Sequence, residues 1–133
     1  MRHGNINLTF DDRFPIYRQI ILEFSRAFVR GDIAPGDRLL SIRELSALLK
    51  VNTNTIARVY QEMERDGLIL SKRGTGFFFT EDVAVSKKLR HDLAEESLGR
   101  FVKEMRSLGC GDDAMQNELS EYLKGGKSHG INS

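Results

Sequence analysis

Residues 39–80 read LLSIRELSALLKVNTNTIARVYQEMERDGLILSKRGTGFFFT, and their order decides the fold. Ser41 and Glu44, three residues apart, match a capping box, in which hydroxyl and carboxylate each satisfy a backbone N–H at a helix start. That predicts a short helix through Leu49, with Leu45, Leu48 and Leu49 as its apolar face. Val51 is the turn residue that must be buried. Four small polar residues follow, Asn52, Thr53, Asn54 and Thr55, and only then does a second apolar stripe appear at Ile56, Val59, Tyr60 and Met63. Asn and Thr are mediocre helix formers, and a globular core has no use for four of them. One can cap the helix; the others need a different reason. Asp66-Gly67 ends this helix, with Gly67 as the left-handed cap. LILSKRGTGFFFT then predicts a β-hairpin with Arg73-Gly74-Thr75-Gly76 at its tip.

Working outward to the N-terminal side, Ile16, Ile20, Phe24 and Phe28 recur every four residues, with Tyr17 and Ile21 widening the stripe. The spacing predicts a helix from Pro15, whose fixed φ suits a first helical position, to Arg30, stopped by Gly31. Pro35-Gly36 is a tight turn, and Asp37 to Leu40 are predicted as one short strand. Ile6, Leu8 and Phe10 alternate as an extended lead-in. Three helices with a tight turn between the second and third, followed by a hairpin, make a winged helix-turn-helix. In that arrangement the second helix braces across the phosphate backbone of DNA and the third enters the major groove with its N-terminal residues against base edges. The polar run then has a purpose. At the leading end of the third helix, short side chains can cap it, contact phosphate or meet bases without steric cost.

Beyond Glu81 the pattern changes. Val85, Leu89, Leu93, Leu98, Phe101, Met105 and Leu108 predict a helix of about 25 residues, roughly 40 Å long at the rise of an α-helix. Gly109-Cys110-Gly111 breaks it, Asp112 or Asp113 caps a further helix, and Met115, Leu119, Tyr122 and Leu123 form its stripe. The fold class expected is mostly α with a small β-hairpin. A winged helix-turn-helix with its lead-in occupies residues 1–80, a two-helix dimerisation domain residues 81–124, and a disordered tail residues 125–133. Two helices of this size bury little area alone, so a homodimer is preferred to an intramolecular hairpin. Its interface is assigned to Val85, Leu89, Leu93, Leu98, Phe101, Val102, Met105, Leu108, Leu119, Tyr122 and Leu123. In Phe77-Phe78-Phe79 alternate residues face opposite sides, and the outward ring is expected to pack against the C-terminal helices.

The bulk properties are those of a folded chain, 40% hydrophobic and 29% charged. No run reaches the ~18 to 20 apolar residues of a membrane span, the N-terminus lacks a signal peptide's apolar stretch, and the single cysteine suits a reducing compartment. These features point to the cytoplasm. Residues 1–80 carry 12 Lys/Arg against 9 Asp/Glu, while residues 81–133 carry 8 against 10. That mild asymmetry is consistent with nucleic acid on the basic side.

The residues PIYRQI and GDIAPGDRLLSIRELSALLKVNTNTIARVYQEMERDGLILSKRGTGFF resemble the DNA-binding domain of GntR-family bacterial transcription regulators. The short two-stripe tail and the opening INLTFDDRFPIY are similar to the YtrA-type subfamily. The chain departs from the family at Leu40, where a proline is usual, and at Thr53, where proline is frequent. The resemblance implies a homodimeric repressor of a pseudo-palindromic double-stranded DNA operator, relieved by a small-molecule effector, with target genes that often encode ABC transporters. It places the DNA contacts on Ser41 and Arg43 of the bracing helix, on Asn52, Thr53, Asn54, Thr55 and Arg58 of the recognition helix, and on Lys72, Arg73, Gly74, Thr75 and Gly76 of the wing. Arg43 is the candidate for reading a guanine.

Blander readings stand beside these. Arg43 could pair with Glu44 or Glu62 on the surface, and Cys110 could be incidental or a redox switch. The two glycines of the hairpin lack the Lys-Ser/Thr of a nucleotide loop. His3, His91 and His129 are scattered, so no cofactor, metal set or catalytic dyad is expected, and the chain is read as no enzyme. The alternative of a different class is a dimeric winged-helix adaptor that binds protein, which would call for apolar residues at the helix head.

Overall fold

The computed structural model describes residues 8–125; His3, Ile6 of the lead-in and residues 126–133 of the predicted tail, His129 among them, lie outside. The described elements run α1 (Ile16–Arg30), α2 (Ile42–Leu49), α3 (Thr53–Arg65), β1 (Ile69–Lys72), β2 (Gly76–Phe79), α4 (Val83–Ser107) and α5 (Asp112–Leu123). The strands form one antiparallel hairpin. The fold is the mostly helical winged helix-turn-helix that the sequence leads one to expect.

α1 begins one residue later than predicted. Pro15 has φ −59° but an extended ψ of 137°, so it caps the helix from outside. The chain ahead of it is held by Gln19, whose amide donates to the Asp11 and Phe14 carbonyls and accepts from the Asp11 N–H. Gly31, at φ 92°, closes the other end by donating to Ala27 and Phe28 carbonyls, a left-handed cap that glycine adopts without steric cost.

Asp37–Leu40 is reduced to a single bridge, Arg38 opposite Phe78. It is flanked by bonds from Leu39 N–H to Phe77 O and from Phe79 N–H to Asp37 O. The Pro35-Gly36 turn on one side and the cap of α2 on the other leave no room for a longer strand. Both halves of the Ser41–Glu44 capping box are present. The turn into α3 places Lys50 in the left-handed region at φ 58°, and Val51 packs half-buried against the core. Asn52 caps α3, its Oδ1 accepting from the Asn54 N–H at 2.7 Å.

The core draws Ile20, Phe24 and Phe28 from α1, Leu45 from α2, Ile56, Val59, Tyr60 and Met63 from α3, and Ile69 and Phe79 from the hairpin. Each such side chain contributes about 1.5–3 kcal/mol when fully buried. Phe79 stacks on Phe28 with centroids 5.4 Å apart, and Phe77 meets Tyr60 edge-on at 5.0 Å. Phe78 points away from them, as strand alternation requires. The Lys72 ammonium lies 4.6 Å from the centroid of its ring.

The chain divides into two compact units, the first running to Arg90 and the second from His91. The first therefore takes in the opening turns of α4. There Leu89 packs on the core, Val85 lies beside Gly67, and Arg90 Nη2 donates to the Val29 carbonyl at 2.8 Å. In the second unit Met115 is buried, and the turn into α5 is closed by Gly109 and Cys110 N–H bonds to Arg106 and Met105 carbonyls. Gly111, not an aspartate, is the N-cap of α5. Asp112 and Asp113 occupy its first turn, where a carboxylate is favoured by the helix dipole, and Asp112 also accepts from Arg106 at 3.3 Å. No helix among the described residues is long and apolar enough to cross a membrane.

Candidate nucleic-acid interface

Two helix starts and one hairpin tip carry the predicted contacts. At the start of α2, Ser41 Oγ accepts from the Glu44 N–H at 3.1 Å and the Glu44 carboxylate accepts from the Ser41 N–H at 2.9 Å. Arg43, between them, is exposed, and among the described residues it makes no ion pair. The two carboxylates that could have neutralised it are otherwise engaged, Glu44 by the cap and Glu62 by Arg58 and Arg65.

Tyr60 fixes α3 relative to this helix start. Its hydroxyl donates to the Leu40 carbonyl at 2.6 Å. Burial, and then the charge of Glu44, push that hydroxyl's pKa well above the usual tyrosine range, so it remains a donor at any physiological pH.

The head of α3 is wet. Asn52, Thr53 and Asn54 are exposed and Thr55 is half-buried, so capping consumes one side-chain oxygen and leaves the other polar groups open. Arg58, one turn further along the same face, is held from two sides. Its Nε donates to Glu62 at 3.0 Å, and its guanidinium lies 3.7 Å from the centroid of the Tyr17 ring. The Glu62 hydrogen bond raises its pKa above the ordinary value, with Tyr17 adding to the effect.

At the wing, Lys72, Arg73, Gly74 and Thr75 are exposed and Gly76 is half-buried. Thr75 closes the tip through its N–H and its hydroxyl, both donated to the Lys72 carbonyl at 2.9 and 3.0 Å. Gly76, at φ 122°, lies against Arg38, so that an added Cβ would come within 3.2 Å of the guanidinium Nε. Arg38 is a basic neighbour of the wing that the sequence reading missed. The short-strand reading of Asp37–Leu40 included Arg38 but gave it no register against the hairpin; the bridge opposite Phe78 supplies that register.

In the second unit Leu98, Leu108, Leu119, Tyr122 and Leu123 are exposed, Leu108 at 75% and Leu123 at 71%. Leu93, Phe101, Val102 and Met105 are half-buried. An open hollow of about 500 Å³ lies along α4, lined by Glu95, Leu98, Gly99, Val102, Lys103 and Arg106. Cys110 is a half-buried free thiol. No group of three or more His, Cys, Asp or Glu is placed to hold a metal among the described residues.

This geometry has close counterparts. The profile of bacterial regulatory proteins of the gntR family matches residues 16–79. The uncharacterised HTH-type transcriptional regulator YhcF of Bacillus subtilis is 39% identical over 117 residues, covering 88% of this chain and 97% of its own. The chain belongs to the GntR family. It is a DNA-binding transcriptional regulator and not an enzyme. The GntR likeness extends past the winged helix. The HTH-type transcriptional repressor YtrA of B. subtilis is 31% identical over 119 residues, covering 86% of this chain and 92% of its own. A GntR family transcriptional regulator from Listeria monocytogenes superposes with a TM-score of 0.77 at 38% identity, over 84% of this chain and 98% of that one.

Proposed function

We propose that this GntR-family regulator is a homodimeric repressor that reads a pseudo-palindromic operator. The observation that carries the reading is the arrangement at the two helix starts, where an Arg43 with no ion pair among the described residues accompanies a polar, largely exposed Asn52–Thr55 head in a family of DNA-binding regulators. An apolar head would have favoured the adaptor. In this reading α2 braces on the phosphates through Ser41, Arg43 reaches a guanine, and Asn52, Thr53, Asn54 and Thr55 divide between base edges and phosphate. A bidentate arginine–guanine contact contributes about 1–3 kcal/mol of discrimination. Arg58 extends the basic edge, and Lys72, Arg73, Gly74, Thr75 and Gly76 approach the minor groove, whose negative potential attracts arginine.

The repressor role is supported by the likeness to the transcriptional repressor YtrA, and dimerisation by the exposed apolar residues of α4 and α5. Leu89 is already packed against the winged-helix core, so the interface rests on Val85, Leu93, Leu98, Phe101, Val102, Met105, Leu108, Leu119, Tyr122 and Leu123. The hollow along α4 would hold a small-molecule effector that relieves repression, and resemblance to the YtrA type makes ABC-transporter genes the expected targets.

Gel shifts on the upstream region of its own gene test the contacts. Arg43→Ala should lower affinity for that DNA far more than for random DNA. Arg73→Ala should weaken both and flatten the salt dependence by about one unit of slope, as for one lost phosphate contact. Equal losses on both DNAs for Arg43→Ala would remove it from base readout.

A further inference from the structure

Arg58 lies on the same face of α3 as Asn54 and Thr55, since residues three and four apart are neighbours on a helix. A long side chain there would ordinarily sample many rotamers, and a phosphate contact would carry the entropy cost of ordering it. Here the ordering is already done. The guanidinium carbon lies over the Tyr17 ring, 3.7 Å from its centroid, and Nε is bonded to Glu62 at 3.0 Å. Glu62 is itself only 23% exposed and is flanked by Arg65 at 3.8 Å. The bond to Glu62 uses Nε, and the side chain is 55% exposed, so its terminal amino groups are open to a ligand from the solvent side. Arg18, from the same turn of α1 as Tyr17, places its guanidinium 6.0 Å from the same ring.

We infer that Tyr17 and Glu62 are positioning residues for DNA binding, holding Arg58 as a preoriented clamp for a backbone phosphate beside the head of α3. This rests on the DNA-reading role proposed above and adds to it a part for α1. The ring supplies a flat, electron-rich seat that favours a planar cation, and the carboxylate fixes the rotation of that cation within the plane. A lysine could not answer both constraints, because its ammonium has neither a plane to stack nor a fixed fork of donors.

The test is a mutant cycle on the full-length chain, reading affinity for upstream-region DNA across a salt series, with folding checked by circular dichroism. Arg58→Ala should lower the slope of log affinity against log salt by about one unit. Arg58→Lys should keep the slope and lose affinity. Tyr17→Leu should weaken binding about two- to fivefold, the range of an exposed cation–π contact, without changing the slope, while Tyr17→Phe, which retains the ring, binds as the parent does. In an Arg58→Ala background, Tyr17→Leu should have no further effect. An undiminished Tyr17→Leu loss in that background, an unchanged slope for Arg58→Ala, or full affinity for Arg58→Lys would each overturn the clamp. These outcomes are separable from failure of the DNA-reading role itself, which would show as unselective, salt-insensitive binding by the parent protein.

Discussion

Ser46 is buried in α2 with no hydrogen-bond partner for its hydroxyl among the described residues. A buried hydroxyl left unsatisfied costs on the order of 1 kcal/mol or more. Ser46→Ala should therefore raise the thermal midpoint, and a fall of comparable size would show that the hydroxyl has a stabilising partner. Tyr60 is the opposite case. Tyr60→Phe removes the bond to the Leu40 carbonyl and should cost about 1 kcal/mol in chemical denaturation, with selective DNA binding falling as α3 loosens against the start of α2; unchanged stability would remove that bond from the account. At this scale the sequence was most readable where partners are adjacent. The Ser41–Glu44 box and the Asn52 cap follow from residues two or three apart. The seat of Arg58 on Tyr17 and the approach of Arg38 to Gly76 join residues brought together only by packing, and no local pattern announces them.

Element boundaries follow from backbone chemistry, which is why most were legible. Gly31 and Gly67, at φ 92° and 82°, stop α1 and α3 where an L side chain would be strained. The apolar stripes of α1 and α3 are the core faces. The misses have physical reasons. Asp37–Leu40 is read as a short strand, but the turn before it and the cap after it limit it to one bridge. Asp112 and Asp113 resemble caps, yet Gly111 takes the cap position and they become the first two residues of α5. Because the cap of α2 is complete, Ser41→Ala should lower stability by about 1 kcal/mol, measured by thermal denaturation. A loss confined to DNA affinity, with stability intact, would assign Ser41 to the interface alone.

At the scale of the molecule, a small helical unit exposes leucines that a lone copy does not cover. The periodicity of α4 was visible from Val85 onward, but periodicity could not tell which residues pack on the winged helix and which remain open. Leu89 belongs to the first group. Leu98→Asp and Leu119→Asp alter exposed positions and should yield folded monomers in sedimentation; persistent dimers would move the interface elsewhere. A dimer reading DNA through two α3 heads requires two half-sites about 10 bp apart, one turn of B-DNA. Footprinting of the upstream region with the intact protein is therefore the most direct measurement. Two protected half-sites at that spacing, both lost when Arg43→Ala is combined with a scrambled α3 head, are the predicted result. Protection that ignores sequence, or none at all at concentrations where the protein is dimeric, would contradict the account.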